Sequence, residues 1–218
     1  MRLHPHHTER CVPEITGLFP IPVMRVDAAL DSLLASGLAT HFSALAGVGN
    51  QGSAALSHTR LLHPGDSPLL VDAAQAISPR LGDFGLHLFG ERLGWSIKEM
   101  WVNVLEPGGR QVMHNHANSF VSGVVYLTPV HPQACTVFIK SPGGTDFAFR
   151  NDHPGVTPGP YNAQKWVAPL PRPGDMVLFP SYLLHEVPPN PGERRITLAF
   201  NAIPAAVDSW GYKIAFTG

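Results

Sequence analysis

The sequence predicts a mainly β fold, a sandwich or barrel with helices ahead of it. Three observations support this. Twenty-two prolines and twenty-one glycines among 218 residues demand many turns and short elements. After Gly94 the chain runs as short apolar segments parted by Pro and Gly turns, the pattern of a sandwich or barrel. Before Gly94, two stretches carry helical spacing instead. The length suits one domain over 1–218, with a helical and loop cover over 1–94 and a β core over 95–218.

From the N-terminus, the polar start with His4, His6 and His7 reads as a frayed end rather than a metal-binding tail. Gly17–Val23 is apolar and holds two prolines, so it reads as an extended arm and a candidate homodimer contact. Asp27 is placed to cap a short helix carrying Leu30, Leu33, Leu34 and Leu38, with Gly37 near its end. Ala46–Pro68 shows no period and reads as loop, its His58 and His63 as surface or structural histidines. Ser78 followed by Pro79 predicts a helix start, Leu81, Phe84 and Leu88 its apolar stripe, and Gly94 its stop. Strands are expected at Ile97–Leu105, Ser122–Leu127, Cys135–Lys140, Asp146–Phe149, Met176–Phe179 and Arg195–Asn201. Turns at Glu106–Gly109, Ser141–Gly144 and Pro173–Asp175 separate them.

Composition narrows the function classes. The formal net charge of −1 offers no basic field for nucleic acid or anionic lipid. A small anionic ligand is still open, because it needs only one or two well-placed arginines. No apolar run is long enough for a membrane span, and no secretory leader is visible. Cys11 and Cys135 fit no closely spaced metal pattern and read as free thiols in a reducing, cytoplasmic compartment.

The residues that point to chemistry begin with His114-Asn-His116. Positions two apart in an extended segment face the same side, so both imidazoles can enter one barrel interior. Alone the pair is a weak signal, since polar loops often hold neighbouring histidines. His185 is the third candidate. It follows the apolar strand Met176–Phe179 and Pro180, in the connection expected at the barrel rim. Three neutral imidazoles suit Fe, Zn, Ni or Cu, and three ligands leave positions open for water or substrate.

The last strand adds the deciding detail. Alternation puts Arg195, Thr197, Ala199 and Asn201 on one face, against Ile196, Leu198 and Phe200 on the other. An arginine aimed at an interior needs an anionic partner, and no acidic residue shares its face of the strand. A ligand carboxylate is the natural candidate, with Thr197 adding a hydroxyl; a protein carboxylate elsewhere, or solvent, is the alternative. Asn103, on the face of Trp101, is placed to bond a ligand carboxylate or to orient a histidine. Tyr126 offers a ring for packing and a hydroxyl for a ligand.

These residues together resemble the bacterial 2-oxoglutarate/Fe(II)-dependent oxygenases. The resemblance lies in Trp101-x-Asn103, His114-x-His116, Ser119, Ser122–Tyr126, Pro173–Pro180, His185 and Glu193–Asn201, and more faintly in Phe19–Val23. It implies a double-stranded β-helix, or jelly roll, with flanking N-terminal helices. It implies Fe(II) held by His114, His116 and His185. It also implies 2-oxoglutarate as cosubstrate, held by Arg195 and Thr197 with Asn103 and Tyr126 beside them. The reaction implied is oxidative decarboxylation to succinate and CO2 with hydroxylation of a small-molecule or peptide substrate. The ten-residue spacing from His185 to Arg195 fits the wider superfamily; His116 departs from it, standing where a carboxylate ligand is usual. A cupin-like dioxygenase or isomerase is the rival, since Gly108 and His114-x-His116 resemble a cupin opening. It lacks the glutamate expected after His116, where Ala117–Val121 stands instead. A non-catalytic ligand-binding jelly roll is a third reading.

Overall fold

Alternation along the strand Arg195–Pro204 decides how the layers stack. Ile196, Leu198 and Phe200 join an apolar core on one side, while Arg195, Thr197, Ala199 and Asn201 face the other way, all of them buried. A strand buried on both faces must lie inside its sheet with a layer on each side. In the computed structural model, which describes residues 15–43, 48–50, 53–141, 151 and 153–216, it does.

The strands are β1 (Met24–Val26), β2 (Val48–Asn50), β3 (Ser53–His58), β4 (Trp95–Leu105) and β5 (Gln111–His114). They continue as β6 (Val121–Tyr126), β7 (Val137–Ile139), β8 (Lys165–Val167), β9 (Met176–Pro180), β10 (His185–Val187) and β11 (Arg195–Pro204). A hairpin of β12 (Ala206–Ser209) and β13 (Tyr212–Ala215) follows. The helices are α1 (Ser32–Ser43) and α2 (Pro68–Phe89). The major sheet runs β1-β9-β6-β11-β4-β3-β2 and the minor sheet β5-β10-β7-β8. All pairings are antiparallel. The protein is thus mainly β, a jelly roll with both helices on the N-terminal side of the sequence, as expected.

Two cores hold the layers. One lies between the helices and the major sheet and includes Leu38, Ile77, Leu81, Phe84, Val102, Leu178 and Phe200. The second lies between the two sheets and includes Leu56, Tyr126, Phe138, Val177 and Phe179. No described helix is long and apolar enough to cross a membrane.

Several expected boundaries are corrected. Asp31, not Asp27, caps α1: its Oδ1 accepts the Leu34 N–H at 2.8 Å, and Gly37 sits inside the helix. The helix expected from Ser78 starts at Pro68. Ser67-Pro68 carries the same cap-then-proline signal as Ser78-Pro79, and the Ser67 side chain accepts the Leu70 N–H. Pro79 stays inside α2 although it gives up a helical hydrogen bond. The stripe Leu70, Ala73, Ile77, Leu81 and Phe84 on both sides of it is buried, and that packing outweighs the local cost. The helix ends at Gly90, not Gly94; Gly90 takes φ 70° and donates its N–H to Leu86 O at 2.9 Å. Ala46–Pro68 is not a loop throughout: it supplies β2 and β3, and β3 pairs with β4. His185 begins β10 rather than lying in a connection. β8 and the β12–β13 hairpin come without a sequence signal. The histidines at 4, 6 and 7, Cys11 and the strand at 146–149 lie outside the described residues.

Gly123 sits where β6 passes closest to the helix-side core. A Cβ there would meet the Phe200 ring and lie 2.8 Å from Leu178 Cδ2. We expect Gly123→Ala to cost about 1–3 kcal/mol, as overpacking a filled core does. Urea denaturation measures it, and a loss below about 0.5 kcal/mol would contradict this packing.

Candidate metal and anion site

Register fixes the site before any side chain is considered. Residues directly opposite one another in adjacent strands share a face. On the minor sheet His114 pairs with His185, His185 with Phe138, and Phe138 with Trp166. On the major sheet one row is Trp101, Ala199, Val124 and Val177. The next row inward is His58, Asn103, Thr197 and Tyr126. Beyond it lie Leu56, Leu105 and Arg195.

The three histidines meet between the sheets. Their ligand atoms all lie within 4.8 Å of one another, the only such cluster of metal-ligating side chains among the described residues. The ring centroids are 4.2 Å apart for His114 and His185, 5.2 Å for His114 and His116, and 5.1 Å for His116 and His185. His116 follows the end of β5, and its N–H donates to Ser181 O at 2.9 Å. Its ring packs on Trp101 at 5.5 Å. His185 packs edge-on against Phe179 at 4.7 Å.

Hydrogen bonds set two tautomers. His114 Nδ1 lies 2.8 Å from Val112 O, and His185 Nδ1 lies 2.9 Å from Leu183 O. A carbonyl only accepts, so Nδ1 carries the proton in both rings and Nε2 keeps its lone pair. His116 Nε2 is 3.3 Å from His185 Nε2, so these nitrogens converge. Burial pushes the His116 pKa down to about 4 and that of His185 to about 3, with the other histidines pressing the same way. Burial also lowers the His114 pKa. Three neutral imidazoles with converging lone pairs are a donor set that a divalent transition metal satisfies, with open positions left over.

Arg195 lies on the closed side of this cavity. It is 4% exposed, and its Nε has no hydrogen-bond partner. The guanidinium carbon is 5.3 Å from the centre of the Tyr126 ring, and no carboxylate pairs with it among the described residues. Burial lowers its pKa, but a guanidinium stays charged. Leaving such a charge without an anion is costly. Thr197, Asn103 and Thr136 line the same cavity. Tyr126 is deeper: it is 1% exposed and its hydroxyl lies 2.9 Å from Thr136 Oγ1. It packs against Arg195 and bonds Thr136.

Sequence reading missed Leu56, Gln111 and Thr136 as lining residues. Leu56 lies in the stretch read as loop. Thr136 lies in the expected strand Cys135–Lys140 with the parity of Phe138, but as a lone threonine just before the observed β7 it carries no signal of its own for a site.

Residues 99–201 match the family profile described as "Putative 2OG-Fe(II) oxygenase". That segment, just under half of the chain, is similar to the 2OG-Fe(II) oxygenases. No curated protein sequence matches the chain. Among solved structures it is similar to HygX from Streptomyces hygroscopicus, solved with nickel and 2-oxoglutarate bound. The TM-score is 0.61 at 14% identity, over 84% of this chain and 83% of that one. The α-ketoglutarate-dependent epimerase SnoN from nogalamycin biosynthesis gives 0.59 at 16%, over 85% and 80%. A prolyl-4-hydroxylase from Pseudomonas putida gives 0.57 at 17%, over 83% and 92%. At these identities the likeness is one of fold.

The depressed imidazole pKa values carry a stability consequence. An unfolded histidine titrates near 6.5, so below that pH the unfolded chain binds protons that the folded His116 and His185 refuse. Their contribution is complete above pH 6.5 and is lost as pH falls toward 4. We expect the urea midpoint of metal-free protein to fall between pH 7 and pH 5, and His185→Gln to flatten that fall. An unchanged slope in the variant would contradict the burial.

Proposed function

We propose that the protein is an Fe(II)- and 2-oxoglutarate-dependent oxygenase that hydroxylates a small-molecule or peptide substrate, releasing succinate and CO2. The observation that carries this reading is the buried Arg195 guanidinium, with no carboxylate beside it among the described residues, in the cavity that holds the three histidines. If Arg195 binds the cosubstrate, it discriminates against a cupin-type enzyme, which needs no dicarboxylate; metal content after purification separates either enzyme from a jelly roll whose histidines are incidental.

In this reading His114, His116 and His185 hold the metal through Nε2. Bound iron and 2-oxoglutarate would together supply oxygen activation coupled to loss of CO2. Arg195 and Thr197 receive the far carboxylate of the cosubstrate by charge-assisted and hydroxyl hydrogen bonds. Asn103, one strand row from Trp101, offers an amide to the same ligand. Leu56, Val124, Val187 and Ala199 give the cavity apolar walls that limit water around the reacting groups. His114 and His185 are held at Nδ1 by carbonyls, so neither has to reorient to meet the metal.

The fold admits other outcomes, since similar structures include an epimerase and a carbocyclase as well as a hydroxylase. Hydroxylation is the default of the shared early steps.

Anaerobic titration of Fe(II) and 2-oxoglutarate tests the proposal. A visible metal-to-ligand absorption band is expected on adding the second component; clean iron loading without the band would defeat the 2-oxoglutarate reading. Arg195→Gln should weaken 2-oxoglutarate binding by about 30-fold or more while iron still binds, since truncating one partner of a buried charge pair costs about 2–5 kcal/mol. An unchanged affinity would place the anion elsewhere.

A further inference from the structure

The outermost row of the cavity face of the major sheet belongs neither to the triad nor to the anion pocket. It consists of Glu99, Asn201, Ser122 and Phe179, paired across β4, β11, β6 and β9, and its three polar members are joined to one another. Glu99 lies two residues from Trp101 on the same strand face, and Trp101 is the ring that His116 packs on. The Glu99 side chain is 18% exposed. Asn201 Nδ2 donates to Glu99 Oε1 at 2.8 Å, and the Ser122 hydroxyl donates to Asn201 Oδ1 at 2.7 Å. Ser122 Oγ lies 2.9 Å from Ser181 Oγ. The Ser181 carbonyl accepts the His116 N–H at 2.9 Å.

Both ends of this chain therefore bear on His116. One end fixes its backbone, and the other brings a carboxylate to the strand that supports its ring. Asn201, Ser122 and Ser181 are at most 3% exposed, so the chain is buried and its geometry is set by satisfied hydrogen bonds. Among the described residues the cation beside Glu99 is Lys98, 3.6 Å from Oε2 and 36% exposed, so it offsets only part of the carboxylate's charge.

Three imidazoles carry no charge, whereas the usual ligand set of two histidines and a carboxylate carries one negative charge. We infer that Glu99 supplies that missing charge from outside the ligand set, and that Asn201, Ser122 and Ser181 hold His116 in register with it. This rests on the proposed iron site. Glu99 is a positioning residue, acting through His116 and through its field. A negative charge near the metal strengthens divalent cation binding and favours Fe(III) over Fe(II).

The test combines anaerobic Fe(II) titration with a redox titration of the Fe(III)/Fe(II) midpoint, for wild type, Glu99→Gln, Ser122→Ala and Lys98→Ala. Thermal melting shows which variants fold. In Glu99→Gln the amide oxygen still accepts from Asn201, so the fold should persist. Its Fe(II) affinity should fall by about tenfold or more, as outer-shell changes do, and its midpoint should rise. Ser122→Ala should weaken Fe(II) binding without moving the midpoint. Lys98→Ala removes a solvent-side cation and should lower the midpoint, which keeps the inference testable even if Glu99→Gln does not fold. A folded Glu99→Gln with the wild-type midpoint would overturn it, as would an unmoved midpoint in Lys98→Ala. Wild type that binds iron while Glu99→Gln behaves identically removes only this inference; wild type that binds no iron removes the metal reading with it.

Discussion

The antiparallel pairing of His114 with His185 is the constraint on which the candidate site depends. Once β5 and β10 lie side by side in that register, both imidazoles must project from one face of the minor sheet. Each ring is then turned by the carbonyl two residues before it, Val112 O for His114 and Leu183 O for His185, so that Nε2 is free. The third imidazole comes by a different route. His116 lies past the end of β5 and is held by the Ser181 carbonyl and the Trp101 ring. Two members of the trio are set by sheet register, and the third by a loop contact.

The cavity separates charge along its depth. The closed side holds a guanidinium that burial would penalise heavily without an anion, and the middle holds neutral imidazoles whose protonation burial suppresses. The outer row holds Glu99. Hydrogen bonds and packing fix each group, so little reorganisation is needed when ligands arrive. The helices contribute indirectly. The stripe on α2 packs the face of the major sheet opposite the cavity, and this makes Phe200 and Leu198 core residues while Ala199 and Thr197 line the site.

Alternation made the long strands readable. β4 and β11 are regular over the stretch that matters, so the shared face of Arg195 and Thr197, and that of Trp101 and Asn103, followed from parity. The proximity of His185 to His114 did not follow from parity, because pairing between strands seventy residues apart is a property of topology. The helix start at Pro68 was obscured because Ser67-Pro68 and Ser78-Pro79 carry the same local signal, and only the buried stripe upstream of Ser78 chooses between them. β3 carries no strand signal in the sequence because Ser53–His58 offers a single large apolar residue, Leu56, and a strand with so little hydrophobic content draws its stability from its neighbour. The Glu99–Asn201–Ser122–Ser181 chain joins residues from four segments, each an ordinary polar residue in its own window.

The central claim is that three imidazoles and one guanidinium form a single metal-and-dicarboxylate site. An anaerobic crystal structure with Fe(II) and 2-oxoglutarate tests it most directly. The account predicts one iron bound by Nε2 of His114, His116 and His185, with the far carboxylate of 2-oxoglutarate on Arg195. An iron bound by only two of these histidines, or a 2-oxoglutarate whose far carboxylate lies away from Arg195, would contradict it.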